Sequence, residues 1–79
     1  MKFLITGGLG FIGSNLIRFL LKKNKHEILN LDKITYASNT FSNKYFCSNK
    51  LYRFVKGDIS NKSLLKDLLG DYRPDFIMN

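Results

Sequence analysis

Short apolar runs alternate along this chain with segments in which apolar residues recur every three to four positions. Four runs have the β-prone composition of strands, and they cover residues 2–6, 27–31, 51–56 and the segment that starts at residue 76. Helical spacing marks residues 11–23 and 61–69. Residues 32–50 are rich in Asn, Ser and Thr and predict a long loop with one helical turn.

The second helix carries recognisable end signals. Ser60 is a suitable N-cap residue, and Gly70 fits a helix stop that Pro74 then reinforces. Between these ends four leucines form one apolar stripe: Leu64, Leu65, Leu68 and Leu69. Four phenylalanines are expected in the core: Phe3, Phe11, Phe19 and Phe54.

The order strand, helix, strand, loop, strand, helix, strand predicts an α/β fold. Helical crossovers join parallel strands, so we expect a parallel sheet. Two helices are few for a sheet that must be covered on both faces, and the last strand has no turn or helix after it. We therefore expect the chain to be the N-terminal portion of a longer protein.

Composition narrows the class of protein. The 79 residues are 44% hydrophobic, which excludes a disordered tail, and their formal charge is +7. Because no nucleic-acid-binding motif accompanies that charge, we expect no nucleic-acid partner. The single cysteine, Cys47, forms no internal disulfide and has no partner at metal-ligand spacing, so we expect a reducing cytoplasm and no metal site. The apolar run 16–21 is too short to span a membrane, and we expect no membrane partner.

The strongest chemical signal lies between the first strand and the first helix, where residues 6–13 read TGGLGFIG. Two glycine patterns overlap here. One uses Gly7, Gly10 and Gly13, and the other replaces Gly7 by Gly8. We favour the first because the strand is predicted to end at Thr6. Glycines in this position permit a tight turn and let the backbone approach a pyrophosphate at the helix N-terminus.

Two carboxylates follow later strands. Asp32 comes 19 residues after Gly13, at the end of the second strand, where a carboxylate accepts hydrogen bonds from an adenosine ribose. Its charge favours NAD over NADP, although the neighbouring Lys33 opposes that preference. Asp58 follows the third strand, and two interpretations stay open for it: a turn aspartate, or a contact to adenine with Ile59 packing on the ring.

Tyr52 and Lys56 spell Y-x-x-x-K, the acid/base pair of short-chain dehydrogenases. That chemistry needs both side chains on a helix, one turn apart. Their segment alternates like a strand, so we interpret them as an edge-of-sheet tyrosine and a solvated lysine.

Four segments together resemble the N-terminal end of the dTDP-glucose 4,6-dehydratase family, extended short-chain dehydrogenase/reductases with a Rossmann-type sheet: TGGLGFIGSN, LDKITYASN, YRFVKGDI and DYRPDFIMN. The resemblance implies that Phe11 and Ile12 contact the NAD phosphates and that Asp58 and Ile59 frame the adenine. It also implies that four consecutive residues hold the ribose side of NAD: Asp32, Lys33, Ile34 and Thr35.

The resemblance further implies the activity: NAD-dependent dehydration of dTDP-glucose to the 4-keto-6-deoxy sugar, in rhamnose-type deoxysugar biosynthesis, by a homodimer. The catalytic groups of this family would lie beyond Asn79, so the 79-residue chain alone is expected to be inactive and marginally stable. Three alternatives remain. They are a UDP-sugar epimerase or decarboxylase, a non-catalytic dinucleotide-binding module, and a basic nucleic-acid binder.

Overall fold

The structure, a computed structural model, describes residues 1–7, 10–33 and 44–78. Four strands and two main helices alternate along the chain, and their bounds are β1 Lys2–Thr6, α1 Phe11–Lys22, β2 Glu27–Asp32, β3 Tyr52–Lys56, α2 Lys62–Tyr72 and β4 Phe76–Met78. Residues 44–47 add one helical turn between β2 and β3, as the sequence predicts. The α/β interpretation is confirmed.

The sheet is parallel throughout, with the strand order β3-β2-β1-β4. The chain therefore builds outwards from β1 to β3 and then returns through α2 to the other side of β1. A pair of hydrogen bonds fixes that return, because the Lys2 amide donates to Asp75 Oδ2 at 2.8 Å and the Asp75 amide donates to the Lys2 carbonyl at 2.7 Å. The reversal of direction places a topological switch point between β1 and β4.

Alternation along the strands divides the core between the two faces of the sheet. On one face α1 and the helical turn cover Ile5 and Ile28, and the buried ring of Phe46 belongs to the same cluster. On the other face α2 covers Leu4, Leu29 and Leu31 with the four-leucine stripe that the sequence predicts. Each face of the sheet thus receives one of the two main helices.

The ends of α2 differ from the prediction. The N-cap is Asn61, whose side chain accepts from the Leu64 amide at 3.1 Å, rather than Ser60. Gly70 lies inside the helix instead of ending it, with open space where a side chain would stand. The helix ends at Tyr72, and its C-cap residue, Arg73, takes the left-handed conformation with φ 52°.

The prediction for the phenylalanines is wrong at Phe19, which is 58% exposed, with the Lys23 ammonium 4.8 Å from its ring centroid. Phe3 and Phe54 are half-buried against the α1 core, while the side chain of Phe11 lies outside the described part. All three residues of β4 are exposed, because Phe76 and Ile77 lie on opposite faces of an uncovered edge. No helix in the described ranges is both long and apolar enough to span a membrane.

Candidate functional site

Two neighbouring clefts open at the carboxyl ends of the parallel strands. One has a volume of about 230 Å³ and lies over the ends of β1, β2 and β3. The other, of about 420 Å³, lies at the switch point between β1 and β4, where Met78 forms one wall. Thr6 and Gly7 line both clefts, so the end of β1 is the ridge between them. Ligands of open α/β sheets bind at this position.

The turn after β1 needs its first glycine. Gly7 has φ 68°, a left-handed conformation that glycine adopts without a steric penalty. Its amide donates to the Leu31 carbonyl at 3.0 Å, and its carbonyl accepts from the Gly10 amide at 3.1 Å. Because β1 ends at Thr6, the turn starts where the sequence analysis places it, and Gly8 lies outside the described residues.

The first helix, α1, begins directly after this turn. Gly10 is the N-cap residue, and no side chain caps the helix there. The first helical hydrogen bond runs from the Ser14 amide to the Gly10 carbonyl at 2.8 Å, so the amides of residues 11–13 precede the helical ladder. These amides and the positive end of the helix dipole favour an anion. Ile12 is 82% exposed and lines the larger cleft beside them.

Charged side chains line the smaller cleft. Asp32 and Lys33 enter it from the end of β2, and Asp58 and Ile59 enter it from the end of β3. The structure therefore brings together four of the residues that the sequence analysis assigns to the adenosine side. Ile34 and Thr35 lie outside the described residues.

Asp58 is held by its own turn. Its Oδ1 accepts from the Ser60 amide at 2.9 Å, and its carbonyl accepts from the Asn61 amide at 2.9 Å. Hydrogen bonds from the Ser60 amide and from the Ser60 side chain, helped by the nearby Lys33 ammonium, hold the pKa of the Asp58 carboxyl below its usual value. Asp58 is both a turn aspartate and a lining residue, so the two interpretations left open by spacing are compatible.

Gly57 is a cleft residue that the sequence analysis did not place in the site. A side chain there would collide with Leu64 of α2, and its Cβ would stand 3.3 Å from Leu31 Cδ1. Glycine therefore lets α2 pack closely under the cleft, and the Gly57 amide donates to the Asp32 carbonyl at 3.1 Å. The only local signal was a glycine directly before Asp58.

Tyr52 and Lys56 lie on β3, an edge strand, rather than on a helix. The Tyr52 hydroxyl is buried and accepts from Asn30 Nδ2 at 3.0 Å, and this burial raises its pKa to about 12. Neither residue lines a cleft at the carboxyl edge. The interpretation of Tyr52 as a residue of an edge strand holds, and its side chain is buried.

Comparison with known proteins supports the resemblance to sugar-nucleotide dehydratases. The sequence model of the GDP-mannose 4,6 dehydratase family matches residues 4–79. A probable dTDP-glucose 4,6-dehydratase of Sinorhizobium fredii is 40% identical over all 79 residues, which are 22% of that protein's length. The chain therefore spans less than a quarter of this relative.

Solved structures of two sugar-nucleotide enzymes have a similar fold over almost the whole chain. The dTDP-glucose 4,6-dehydratase of Bacillus anthracis, in complex with NAD, superposes with a TM-score of 0.89 at 37% identity, over 98% of this chain and 25% of that one. The UDP-glucuronic acid 4-epimerase of Bacillus cereus, with UDP-glucuronic acid and NAD, gives 0.82 at 36% identity, over 98% and 25%. With its Rossmann-like parallel sheet and its glycine turn, the chain belongs to the GDP-mannose 4,6 dehydratase family and resembles the dTDP-glucose 4,6-dehydratases.

Proposed function

We propose that the natural protein carrying this chain is a lyase that dehydrates dTDP-glucose to the 4-keto-6-deoxy sugar, with NAD as its cofactor. In this proposal residues 1–79 form the N-terminal part of the NAD-binding domain. The observation that carries it is the pair of clefts at the carboxyl ends of the strands, in a chain 40% identical along its whole length to a probable dTDP-glucose 4,6-dehydratase.

The residues of both clefts fit NAD. The left-handed Gly7 and the uncapped α1 N-terminus leave backbone amides open to a pyrophosphate, with Gly10 and Gly13 beside them. Asp32 offers a carboxylate to the ribose hydroxyls, and Asp58 with Ile59 offers a polar and an apolar contact to adenine. When bound, NAD supplies reversible hydride transfer at the sugar. This segment binds and orients it.

The wider setting is also part of the proposal. We expect a cytoplasmic homodimer that takes a dTDP-sugar substrate in rhamnose-type biosynthesis. A second candidate is a UDP-sugar 4-epimerase, which the likeness to the Bacillus cereus enzyme favours. A non-catalytic dinucleotide-binding module is the third.

The reactions differ in mass, which gives a direct test. The purified natural protein is incubated separately with dTDP-glucose and with UDP-glucuronic acid, and the products are analysed by mass spectrometry and NMR. Loss of one water from dTDP-glucose supports the dehydratase. An unchanged mass with inversion at C4 of the UDP-sugar supports the epimerase and contradicts our proposal. If the protein binds NAD but neither reaction occurs, both the dehydratase and a UDP-glucuronic acid epimerase are contradicted, and the module is supported.

A further inference from the structure

Two oppositely charged side chains meet across the smaller cleft. The Lys33 ammonium lies just beyond the end of β2, and its Nζ is 3.9 Å from Asp58 Oδ2 beyond β3. Both side chains are partly exposed, at 60% and 47%. At this distance the contact is an ion pair rather than a hydrogen bond. Its position matters because the same cleft holds Asp32.

The orientation of Asp58 is set independently of Lys33. The Ser60 amide occupies Oδ1, so the other carboxylate oxygen is the one that faces the lysine. The Asn61 amide on the Asp58 carbonyl closes the same turn. Asp58 therefore presents a negative charge to Lys33 from a fixed backbone position.

The charges of Asp32, Lys33 and Asp58 decide together how the cleft receives a cofactor that carries a 2′-phosphate. Asp32 repels such a group, whereas a lysine next to Asp32 would attract it. With Asp58 paired to Lys33, the rim of the cleft carries a net charge of one negative unit from Asp32, Lys33 and Asp58 (−1 + 1 − 1). Without Asp58 the same rim would be neutral and would offer a free ammonium.

We propose that Asp58 determines cofactor selectivity through Lys33: by holding this lysine and cancelling its charge, it keeps a 2′-phosphate-binding group out of the cleft and favours NAD over NADP. This inference rests on the proposed function, since it concerns the same dinucleotide site. Asp58 is in this respect a positioning residue. An exposed ion pair is weak, so the expected effect on selectivity is about twofold to fivefold.

The test is a double-mutant cycle in the natural protein, stripped of cofactor. Dissociation constants for NAD and NADP are measured by calorimetry for the wild type, Asp58→Asn, Lys33→Met and the double variant. The readout is the ratio of the NADP constant to the NAD constant, in which any loss of an adenine contact cancels because both cofactors share it. Asp67→Asn and Lys66→Met on α2 make the same charge changes outside both clefts and serve as controls.

We expect Asp58→Asn to lower the ratio about twofold to fivefold, and to leave it nearly unchanged when Lys33 is already methionine. The effect should shrink at high salt, as for any exposed charge pair. An equal fall of the ratio with and without Lys33 would mean that Asp58 repels the phosphate directly, and it would overturn the proposal, as would no fall at all. A wild type that binds neither cofactor would instead refute the proposed NAD site itself.

Discussion

Replacing Gly10 by serine should separate the stability of α1 from its affinity for an anion. Gly10 has φ −73° and ψ 173°, extended backbone that any residue adopts. A Cβ there would stand 3.4 Å from the Gly7 carbonyl oxygen, in ordinary van der Waals contact. The chain therefore accepts serine at this position without strain.

The serine should increase the stability of α1 slightly but weaken NAD binding more strongly. Serine is a better N-cap than glycine by a few tenths of a kcal/mol, because its hydroxyl accepts a hydrogen bond from an amide of the first turn. That amide is one of the donors that a pyrophosphate would use at residues 11–13. Losing one hydrogen bond to a charged group costs about 1.5–3 kcal/mol, which corresponds to roughly a 10-fold to 100-fold weaker NAD affinity.

Calorimetric titration with NAD and urea unfolding without NAD measure the two quantities on the same natural protein. Asn61→Ala is the matched control, because it removes the cap of α2 and should lower the free energy of unfolding by about 1 kcal/mol while leaving NAD affinity unchanged. A Gly10→Ser variant that binds NAD as tightly as the wild type would show that the N-terminus of α1 is not the anion site.

Three further outcomes are expected. Asp32→Ala should weaken NAD binding by about 1–3 kcal/mol in a titration, since a charged ribose partner is lost, and equal affinity would remove Asp32 from the site. Tyr52→Phe should lower the free energy of unfolding in urea by about 1–3 kcal/mol, because Asn30 Nδ2 loses a buried acceptor, whereas abolished turnover in a fully folded variant would show a catalytic role. Burial raises the pKa of Tyr52 and of Tyr72 from 10.0 to about 12, so the folded state holds these two protons more tightly than the unfolded state does. The stabilising contribution of the protonated tyrosines is therefore present below pH 10 and is lost between pH 10 and 12. Urea midpoints that stay constant over that pH window would contradict this pH dependence.

Local signals allowed most of the fold to be predicted from the sequence. The β1 strand and the four-leucine stripe of α2 are set by neighbours within a few residues, so their patterns are visible in the chain. The ends of α2 were not predictable in this way. Ser60 and Asn61 are adjacent and both suit an N-cap; in the structure the Ser60 amide belongs to the turn at Asp58, and the Asn61 side chain caps the helix. Gly70 lies in open space, where a helix accepts it.

In the candidate site, too, features set by neighbouring residues were predictable, and features set by distant residues were not. Gly7 and Gly10 were predictable because a turn between a strand and a helix restricts its own residues. The contact between Lys33 and Asp58 depends instead on how β2 and β3 align, and these residues are 25 positions apart (58 − 33). Phe19 shows the related error for packing, since helical spacing indicates a face but does not show how much of that face the sheet covers.

The buried hydrogen bond between Asn30 and Tyr52 has a consequence for the errors that the sheet could make. A shift of β3 by one residue would turn its apolar side chains to the wrong face, but a shift by two would keep Tyr52 and Phe54 facing the α1 core. The face on which the apolar side chains lie therefore does not distinguish the native alignment from the two-residue shift, whereas the hydrogen bond is made only in the native alignment. A two-residue shift would displace Asp58 by about 6.6 Å along the strand and away from Lys33. The buried hydrogen bond between Asn30 and Tyr52 thus selects the native alignment of β2 and β3, and the distance between Lys33 and Asp58 depends on that alignment.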